Sequence, residues 1–184
     1  MPIQKITRAD IMLKSMEVFR QNGYYHTSMS ELAEACGLHK GSFYHHFPSK
    51  EALMVEILEN TQEVLNNKVF EMAYDETVPP SERLSKLLTK FGKIMLQPKG
   101  GCFVGNTTLE TADHNPEFAK ILRGIFDGWI KALQHLFSSK YPPETALRMA
   151  QQTVMEFEGA LMLKKVFHDE NLLLEVYTRT MAKL

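Results

Sequence analysis

The chain has 184 residues, of which 44% are hydrophobic, and a formal net charge of −1 at pH 7. A chain of this length and composition can bury a substantial core, and its overall charge does not by itself indicate a nucleic-acid partner. The two cysteines form no paired framework and no apolar run approaches the ~18 residues of a membrane span, so we expect a cytoplasmic protein rather than a disulfide-rich secreted protein or a membrane protein.

Apolar residues recur at helical spacing along almost the whole chain, and runs with the period-two alternation of strands are missing. We therefore expect an all-α fold. The segment TRADIMLKSMEVFRQNG predicts a first helix that ends at Gly23, a residue that tolerates positive φ. Ser28 and Glu31 have the spacing of a capping box and mark the start of a second helix, which stops at Gly37. A third, short helix is predicted over residues 40–46.

Prolines and glycines divide the remaining chain into further helices. Turns are predicted at DETVPPSE, QPKGG, DHNP and SSKYPPE, where these residues interrupt the helical pattern. A short helix is predicted in CFVGNTTLETA. The longer helices are predicted over residues 50–73, 81–96, 116–138, 144–166 and 169–183.

The stretch GLHKGSFYHHFPSKEAL contains no acidic residue before Glu51. Two short helices joined by CGLHK form a helix-turn-helix, in which Gly37 supplies the positive φ of the turn. Phe43 and Phe47 are four residues apart, so both can point inward and fix the angle of the second helix. Up to residue 50 the chain has six Lys and Arg against four Asp and Glu, which gives 6 − 4 = +2. A basic head on an acidic body can bind a polyanion through the head alone.

DNA accounts for the residues that remain on the outer side of this stretch. Lys40 can neutralise a phosphate or reach a guanine edge, and Gly41 lets the helix approach the duplex closely. The hydroxyls of Ser42 and Tyr44 can donate to phosphate oxygens. Lys50 begins the next helix, where free backbone N–H groups also favour an anion. Together these features predict a DNA-binding surface.

Two other kinds of site fit the sequence less well. The adjacent residues His45 and His46 diverge by about 100° on a helix, so they cannot chelate a metal together. A helical-bundle enzyme needs a constellation such as paired Glu-x-x-His motifs or a nucleophile beside a base. Glu110 and His114 are four residues apart, but the turn DHNP intervenes. We therefore predict no catalytic residue, no metal site and no cofactor.

Two motifs of the N-terminal segment are specific: the frame F…NGY..TSM..LA…G and the run KGSFYHHFPSKEAL. Through them, about residues 7–58 resemble the DNA-binding domain of the TetR family of transcriptional repressors. The segment GCFVGNTTLE is similar to one found in a subset of that family. The resemblance implies about nine helices, a homodimer on a palindromic operator, and a small-molecule effector that releases it. It also implies a helix-turn-helix domain over residues 1–48 and an effector-binding and dimerisation domain over residues 49–184.

The match to the family pattern implies which residues contact DNA. It also places Phe43 near the bases, whereas the spacing from Phe47 directs the same side chain into the core, and both interpretations stay open. His39 departs from the small or aliphatic residues that are common at its position. The predicted DNA-binding residues are Thr27, His39, Lys40, Gly41, Ser42, Tyr44, His45 and Lys50.

A dimer is needed because two heads about one helical turn of DNA apart, ~34–36 Å, read a palindrome. The last two predicted helices carry apolar stripes that suit either an interface or a core, and Gly159 favours close approach of another helix. The predicted interface residues are Leu147, Val154, Phe157, Gly159, Leu161, Leu173, Val176, Tyr177 and Thr180. The predicted effector pocket consists of Phe91, Met95, Cys102, Phe103, Asn106, Phe126, Trp129, Phe157 and Met162.

Cys102 supports an alternative way of sensing. It begins a predicted helix after KGG, and a helix start lowers the pKa of a thiol. Some members of the family with a similar segment sense electrophiles or oxidants through a cysteine. The alternative function is therefore a redox- or electrophile-sensing repressor that acts through Cys102, whereas a plain buried thiol is the structural interpretation of the same residue.

Overall fold

The protein is all α-helical, as the sequence predicts. A computed structural model describes residues 6–95 and 101–184, although the side chains at positions 94 and 95 are outside the described part. Within these ranges there are nine α-helices, one 3₁₀ turn at Phe70–Tyr74, and no strand. The helices are α1 (Arg8–Asn22), α2 (Met29–Ala35), α3 (Lys40–His46), α4 (Lys50–Lys68), α5 (Pro80–Met95), α6 (Phe103–Thr111), α7 (Pro116–Phe137), α8 (Pro143–Phe167) and α9 (Asn171–Met181).

Backbone contacts divide the chain into two compact units. The first unit comprises Met1–Thr61 and Phe103–Leu122, so it joins α1, α2 and α3 to α6 and to the beginning of α7. The second unit comprises Gln62–Cys102 and Arg123–Leu184 and contains α5, α8 and α9. The functional boundary at residue 48 stays a prediction. No helix in the described ranges is both long enough and apolar enough to cross a membrane.

Local capping sets the ends of the first helices. Ser28 and Glu31 form the predicted capping box at the start of α2, and Thr7 forms a second one with Asp10 at the start of α1. Gly23 and Gly37 have φ of 83° and 67°, so both turns use the backbone freedom of glycine. The core of this unit is built from Ile11, Leu32, Phe43, Phe47 and Leu53, all fully buried.

The long helix predicted to residue 73 ends earlier than expected. The α-helical part of α4 stops at Lys68, and the tighter 3₁₀ turn follows. This turn buries Phe70 and Ala73 in the second unit, and it presents the carbonyl of Ala73 to Nη1 of Arg83 at 2.7 Å. The change of helical pitch therefore serves packing and a buried hydrogen bond, which are tertiary contacts without a local sequence signal.

Helices α8 and α9 pack against each other and end the chain. His168, with φ of 56°, closes α8 in the left-handed conformation, and its N–H donates to the carbonyl of Lys164 at 2.8 Å. The ammonium of Lys183 donates to the hydroxyl of Thr153 at 2.6 Å and so joins the far end of α9 to α8. Helix α5 also packs on α9, where the hydroxyls of Ser85 and Tyr177 are 3.3 Å apart.

Candidate DNA-binding surface and effector region

Helix α3 is fixed to the first unit by two phenylalanines. Phe43 and Phe47 are fully buried with ring centroids 6.3 Å apart, so the packing interpretation of Phe43 accounts for its side chain. The guanidinium of Arg8 lies 4.0 Å from the centre of the Phe47 ring and donates to the backbone carbonyl of His46 and to the carboxylate of Glu56. These contacts hold the C-terminal end of α3 in place.

The opposite side of α3 is exposed, and none of the residues on it carries a carboxylate. The Tyr44 side chain, which lies between the two buried phenylalanines in sequence, is 42% exposed. A Cβ atom built on Gly41 meets no other atom within 4 Å, so packing inside the subunit does not require glycine there. The exposed residues are His39, Lys40, Gly41, Ser42, Tyr44 and His45, which are six of the eight predicted to contact DNA.

The other two predicted residues, Thr27 and Lys50, lie under the turn between α1 and α2. The Thr27 side chain is buried and its hydroxyl donates to the carbonyl of Gly23 at 2.6 Å. The Lys50 ammonium donates to the carbonyls of Tyr24 and Thr27 at 2.7 and 2.8 Å and lies 4.3 Å from the centre of the Tyr24 ring. Burial lowers the pKa of Lys50, and the charge of Glu110 opposes that effect. Both side chains therefore brace the turn that leads to α2.

Glu110 of α6 braces the same turn from the other side. Its Oε2 accepts from the backbone N–H of Tyr24 at 2.7 Å. Its Oε1 fills the space beside Gly23, where it would lie 2.5 Å from a Cβ atom. The sequence gives no local signal for this pairing, because the partners are more than 80 residues apart. A ring contact between Tyr24 and Phe118, with centroids 5.3 Å apart, adds a second support from α7.

Three of the predicted effector residues form an aromatic cluster in the second unit. The ring centroid of Trp129 lies 4.1 Å from that of Phe91 and 6.0 Å from that of Phe157. Trp129 is buried, yet its indole Nε1–H has no hydrogen-bond partner among the described residues. A buried donor without an acceptor costs about 1–3 kcal/mol, so an acceptor on a bound molecule would relieve a real penalty.

The remaining predicted effector residues are distributed over different surroundings. Phe126 is half-buried in the second unit, whereas Phe103 and Asn106 belong to the first unit. Met162 is 60% exposed on α8. The side chain of Met95 lies outside the described part of the chain.

Cys102 is buried just before α6 and faces a carboxyl group. Its thiol donates to Oε1 of Glu158 at 3.3 Å. Burial raises the pKa of the Glu158 carboxyl, and the hydrogen bond from Cys102 partly opposes this. A carboxylate neighbour favours the thiol over the reactive thiolate. Among the described residues, no group of three His, Cys, Asp or Glu side chains is placed to hold a metal ion.

The predicted interface residues lie mostly inside the subunit. Leu147, Gly159 and Tyr177 are half-buried. Val154, Phe157, Leu161, Leu173, Val176 and Thr180 are buried. Another set of residues, which we call the outer stripe, recurs on α8 in steps of four, three and four: Met155, Gly159, Met162 and Val166. The three side chains of the outer stripe are exposed, as are the neighbouring apolar residues Leu163, Phe167 and Leu174.

Family models of known proteins match both the helix-turn-helix segment and the C-terminal helices. The family model described as "Bacterial regulatory proteins, tetR family" matches residues 11–57. A second model, described as "Transcriptional regulator LmrA/YxaF-like, C-terminal domain", matches residues 80–179. The HTH-type transcriptional repressor DhaR of Mycobacterium sp. (strain GP1) is 27% identical over 166 residues, which cover 86% of this chain and 82% of DhaR.

Solved structures share the fold over the whole length. A TetR transcriptional regulator from Legionella pneumophila superimposes with a TM-score of 0.88 at 20% identity and covers 100% of both chains. AibR in complex with isovaleryl coenzyme A and operator DNA superimposes with a TM-score of 0.69 at 19% identity and covers 96% of this chain and 97% of AibR. Since the two family models account for the helix-turn-helix and for most of the following helices, the chain belongs to the TetR family of transcriptional regulators, which bind DNA and are not enzymes.

Proposed function

We propose that the protein is a homodimeric repressor that leaves a palindromic operator when a small-molecule effector binds. The carrying observation is the exposed, acid-free side of α3, fixed to the core by Phe43 and Phe47. In this proposal residues 1–48 bind DNA, and residues 49–184 bind the effector and form the dimer. A rigid helix whose outer surface has no negative charge suits the phosphate-lined major groove.

The proposed contacts divide by chemistry. Lys40 supplies the charge, Ser42 and Tyr44 supply hydroxyls for phosphate oxygens, and Gly41 leaves room for the duplex. His39 and His45 lie exposed at the two ends of α3 and complete the surface. Thr27 and Lys50 contribute by holding the turn before α2, because their polar atoms already bond backbone carbonyls there.

Changing Lys40 to Gln is expected to weaken binding to the DNA upstream of the protein's own gene by about tenfold and to reduce the salt slope by about one. Tyr44→Phe should weaken binding less, since it removes one neutral hydrogen bond. Fluorescence anisotropy in rising NaCl measures both quantities. Lys120→Gln, at an exposed position on α7, is the matched control and should bind like the wild type. Binding of the wild type that does not fall with salt would refute the phosphate contacts.

The effector is proposed to bind beside Trp129. The cluster of Phe91, Trp129 and Phe157 offers apolar surface, and the unpaired indole N–H offers one donor. These features fit a molecule that has an apolar part next to a carbonyl or carboxyl oxygen. The isovaleryl coenzyme A bound to AibR is of this kind, with a branched acyl chain attached to a carbonyl.

Trp129→Phe is expected to weaken effector binding by about tenfold, because one buried hydrogen bond to the effector is lost. Operator affinity in the absence of effector should stay unchanged. A panel of short branched acids, esters and acyl thioesters can be screened by fluorescence, since Trp129 is the single tryptophan of the chain. Calorimetry then compares the best ligand on the wild type and on the variant. Equal affinity of the two proteins would place the effector elsewhere.

Effector release is favoured over electrophile sensing by the surroundings of Cys102. The thiol is buried and bonded to a carboxyl group, whereas a sensing cysteine needs to be accessible to the electrophile. We therefore propose that Cys102 packs at the start of α6 and that a non-covalent ligand controls operator binding.

A further inference from the structure

A groove of about 490 Å³ runs along α5 in the second unit, and we call it the basic groove. Four cationic side chains line it, Arg83, Lys86, Lys90 and Lys93, against one carboxylate, Asp75. The chain as a whole has a net charge of −1, so this local excess of positive charge is not a consequence of composition. A concave, positively charged surface concentrates small anions.

The lysines share one face of α5 because they are spaced by four and three residues. The other face of the helix is core, where Leu84, Leu87, Leu88 and Phe91 are buried. Phe91 reaches the Trp129 cluster from that inner face. The basic groove therefore lies on the opposite side of α5 from the effector site proposed above.

Arg83 distinguishes the basic groove from an ordinary row of surface lysines. Only 7% of this residue is exposed, and Nη1 donates to the carbonyl of Ala73 at 2.7 Å. Its Nε has no hydrogen-bond partner among the described residues. A buried cation is normally compensated by an anion, because desolvation of an unpaired charge costs free energy. The guanidinium thus contributes a positive charge that is held in place beside the groove.

The acidic residues near the groove do not complete this pairing. Asp75 accepts from the backbone N–H of Thr77 at 3.2 Å and from its hydroxyl, and these bonds, with smaller effects of Lys86 and Arg83, lower the pKa of Asp75. Glu82 pairs with Lys86 at 2.8 Å on the exposed surface. An exposed pair of this kind is weak enough for a multivalent anion to replace it.

We propose that the basic groove is a binding site for a small phosphate-bearing metabolite. The phosphate oxygens accept from the lysines, the positive charge of Arg83 attracts the anion, and the hydroxyl of Thr89 on the same helix is a further donor. Met72 and Val78 form the apolar wall for the rest of the molecule. The volume suits a ligand of nucleotide size. None of the residues that line the groove belongs to the proposed DNA-binding surface or to the Trp129 cluster.

Titration calorimetry with inorganic pyrophosphate, at an ionic strength held constant with NaCl, tests the proposal on the full chain. We expect saturable binding, about threefold weaker in each of Lys86→Gln, Lys90→Gln and Lys93→Gln and ~30-fold weaker in the triple variant. Arg83→Met should weaken binding by about tenfold or more, since a positive charge fixed beside the groove is lost. The lysine variants change exposed positions, so they keep the test valid if the arginine variant fails to fold.

The matched control is the double variant Lys68→Gln/Lys131→Gln, which removes two exposed charges outside the basic groove and should bind pyrophosphate like the wild type. Citrate serves as a carboxylate anion of similar charge, and binding as tight as that of pyrophosphate would overturn the preference for phosphate. Absence of pyrophosphate binding, or equal weakening in the control, would overturn the site. Operator binding of the triple variant is expected to be unchanged, which separates this result from the proposed repressor function.

Discussion

Replacing Met162 with aspartate is expected to convert the proposed dimer into monomers and to weaken binding to a palindromic DNA fragment by about 100-fold or more. Met162 is 60% exposed in the centre of the outer stripe, so the substitution removes no contact inside the subunit core. At a two-fold interface the same surface of each subunit is in contact, so each aspartate would be buried against the other subunit. The two carboxylates would then lie close together and repel each other. The folded subunit survives, whereas the avidity of two linked heads is lost.

The outer stripe has the features of a helix-packing surface. Met155, Met162 and Val166 project at helical spacing, and a Cβ atom on Gly159 between them meets nothing within 4 Å. Glycine in the middle of a helix costs about 1 kcal/mol, which close approach of a second helix can offset. Leu174 of α9 is also exposed, so both terminal helices present apolar surface.

Size-exclusion chromatography with light scattering measures the mass of the variant, and circular dichroism reports its helix content. Leu109→Asp is the control, because Leu109 is the more exposed residue at 84% but belongs to α6, outside the outer stripe. This control should stay dimeric. A Met162→Asp variant that remains a dimer would exclude the outer stripe as the interface.

The first three helices follow from the sequence because their ends are decided locally. Each end depends on residues that are close to it in sequence: the capping box of Ser28 and Glu31 begins α2, and Gly23 and Gly37 supply positive φ in the turns. The spacing of Phe43 and Phe47 predicts that both point inward, and the burial of Phe43 decides against the alternative position near the bases that the family pattern implied. The exposed side of α3 could therefore be predicted residue by residue.

The two faces of α8 could not be told apart in the same way. One apolar series includes Val154, Phe157 and Leu161, which the structure buries inside the subunit, and the other series is the outer stripe. Both have helical spacing, and periodicity shows only that a face is apolar, without indicating whether it packs within the chain or against a partner. The residues that meet a second subunit thus stay a prediction.

Contacts between segments that are distant in the chain could not be predicted from the sequence either. The Lys50 ammonium and the Glu110 carboxylate converge on the turn between α1 and α2, yet one begins α4 and the other lies on α6. Taken alone, Lys50 indicates a phosphate contact, because exposed lysines beside a helix-turn-helix often have that role. Its two backbone acceptors are visible only once the turn is folded around it.

Substitutions at two glycines are expected to affect folding and DNA binding separately, and the first of them, Gly23, lies in the turn between α1 and α2. Changing Gly23 to Ala is expected to lower the free energy of unfolding by about 3 kcal/mol, because the backbone there is strained for any residue with a side chain. Its φ of 83° and ψ of 164° lie in a region that only glycine adopts readily. The new methyl group would also lie 2.5 Å from Oε1 of Glu110 and would displace the carboxylate from the N–H of Tyr24.

Gly41→Ala is the matched substitution at the other functional glycine. The added methyl group meets open space inside the subunit and raises helix propensity, so the free energy of unfolding should be unchanged or higher by up to about 1 kcal/mol. Operator binding should nevertheless weaken, because the methyl group stands between α3 and the duplex. Urea denaturation at one fixed protein concentration measures the free energy of unfolding. Fluorescence anisotropy with the upstream DNA measures operator binding in a separate experiment. If Gly23→Ala had the same urea midpoint as the wild type, the turn would not depend on glycine at position 23. If Gly41→Ala bound DNA like the wild type, the N-terminal end of α3 would not approach the duplex closely.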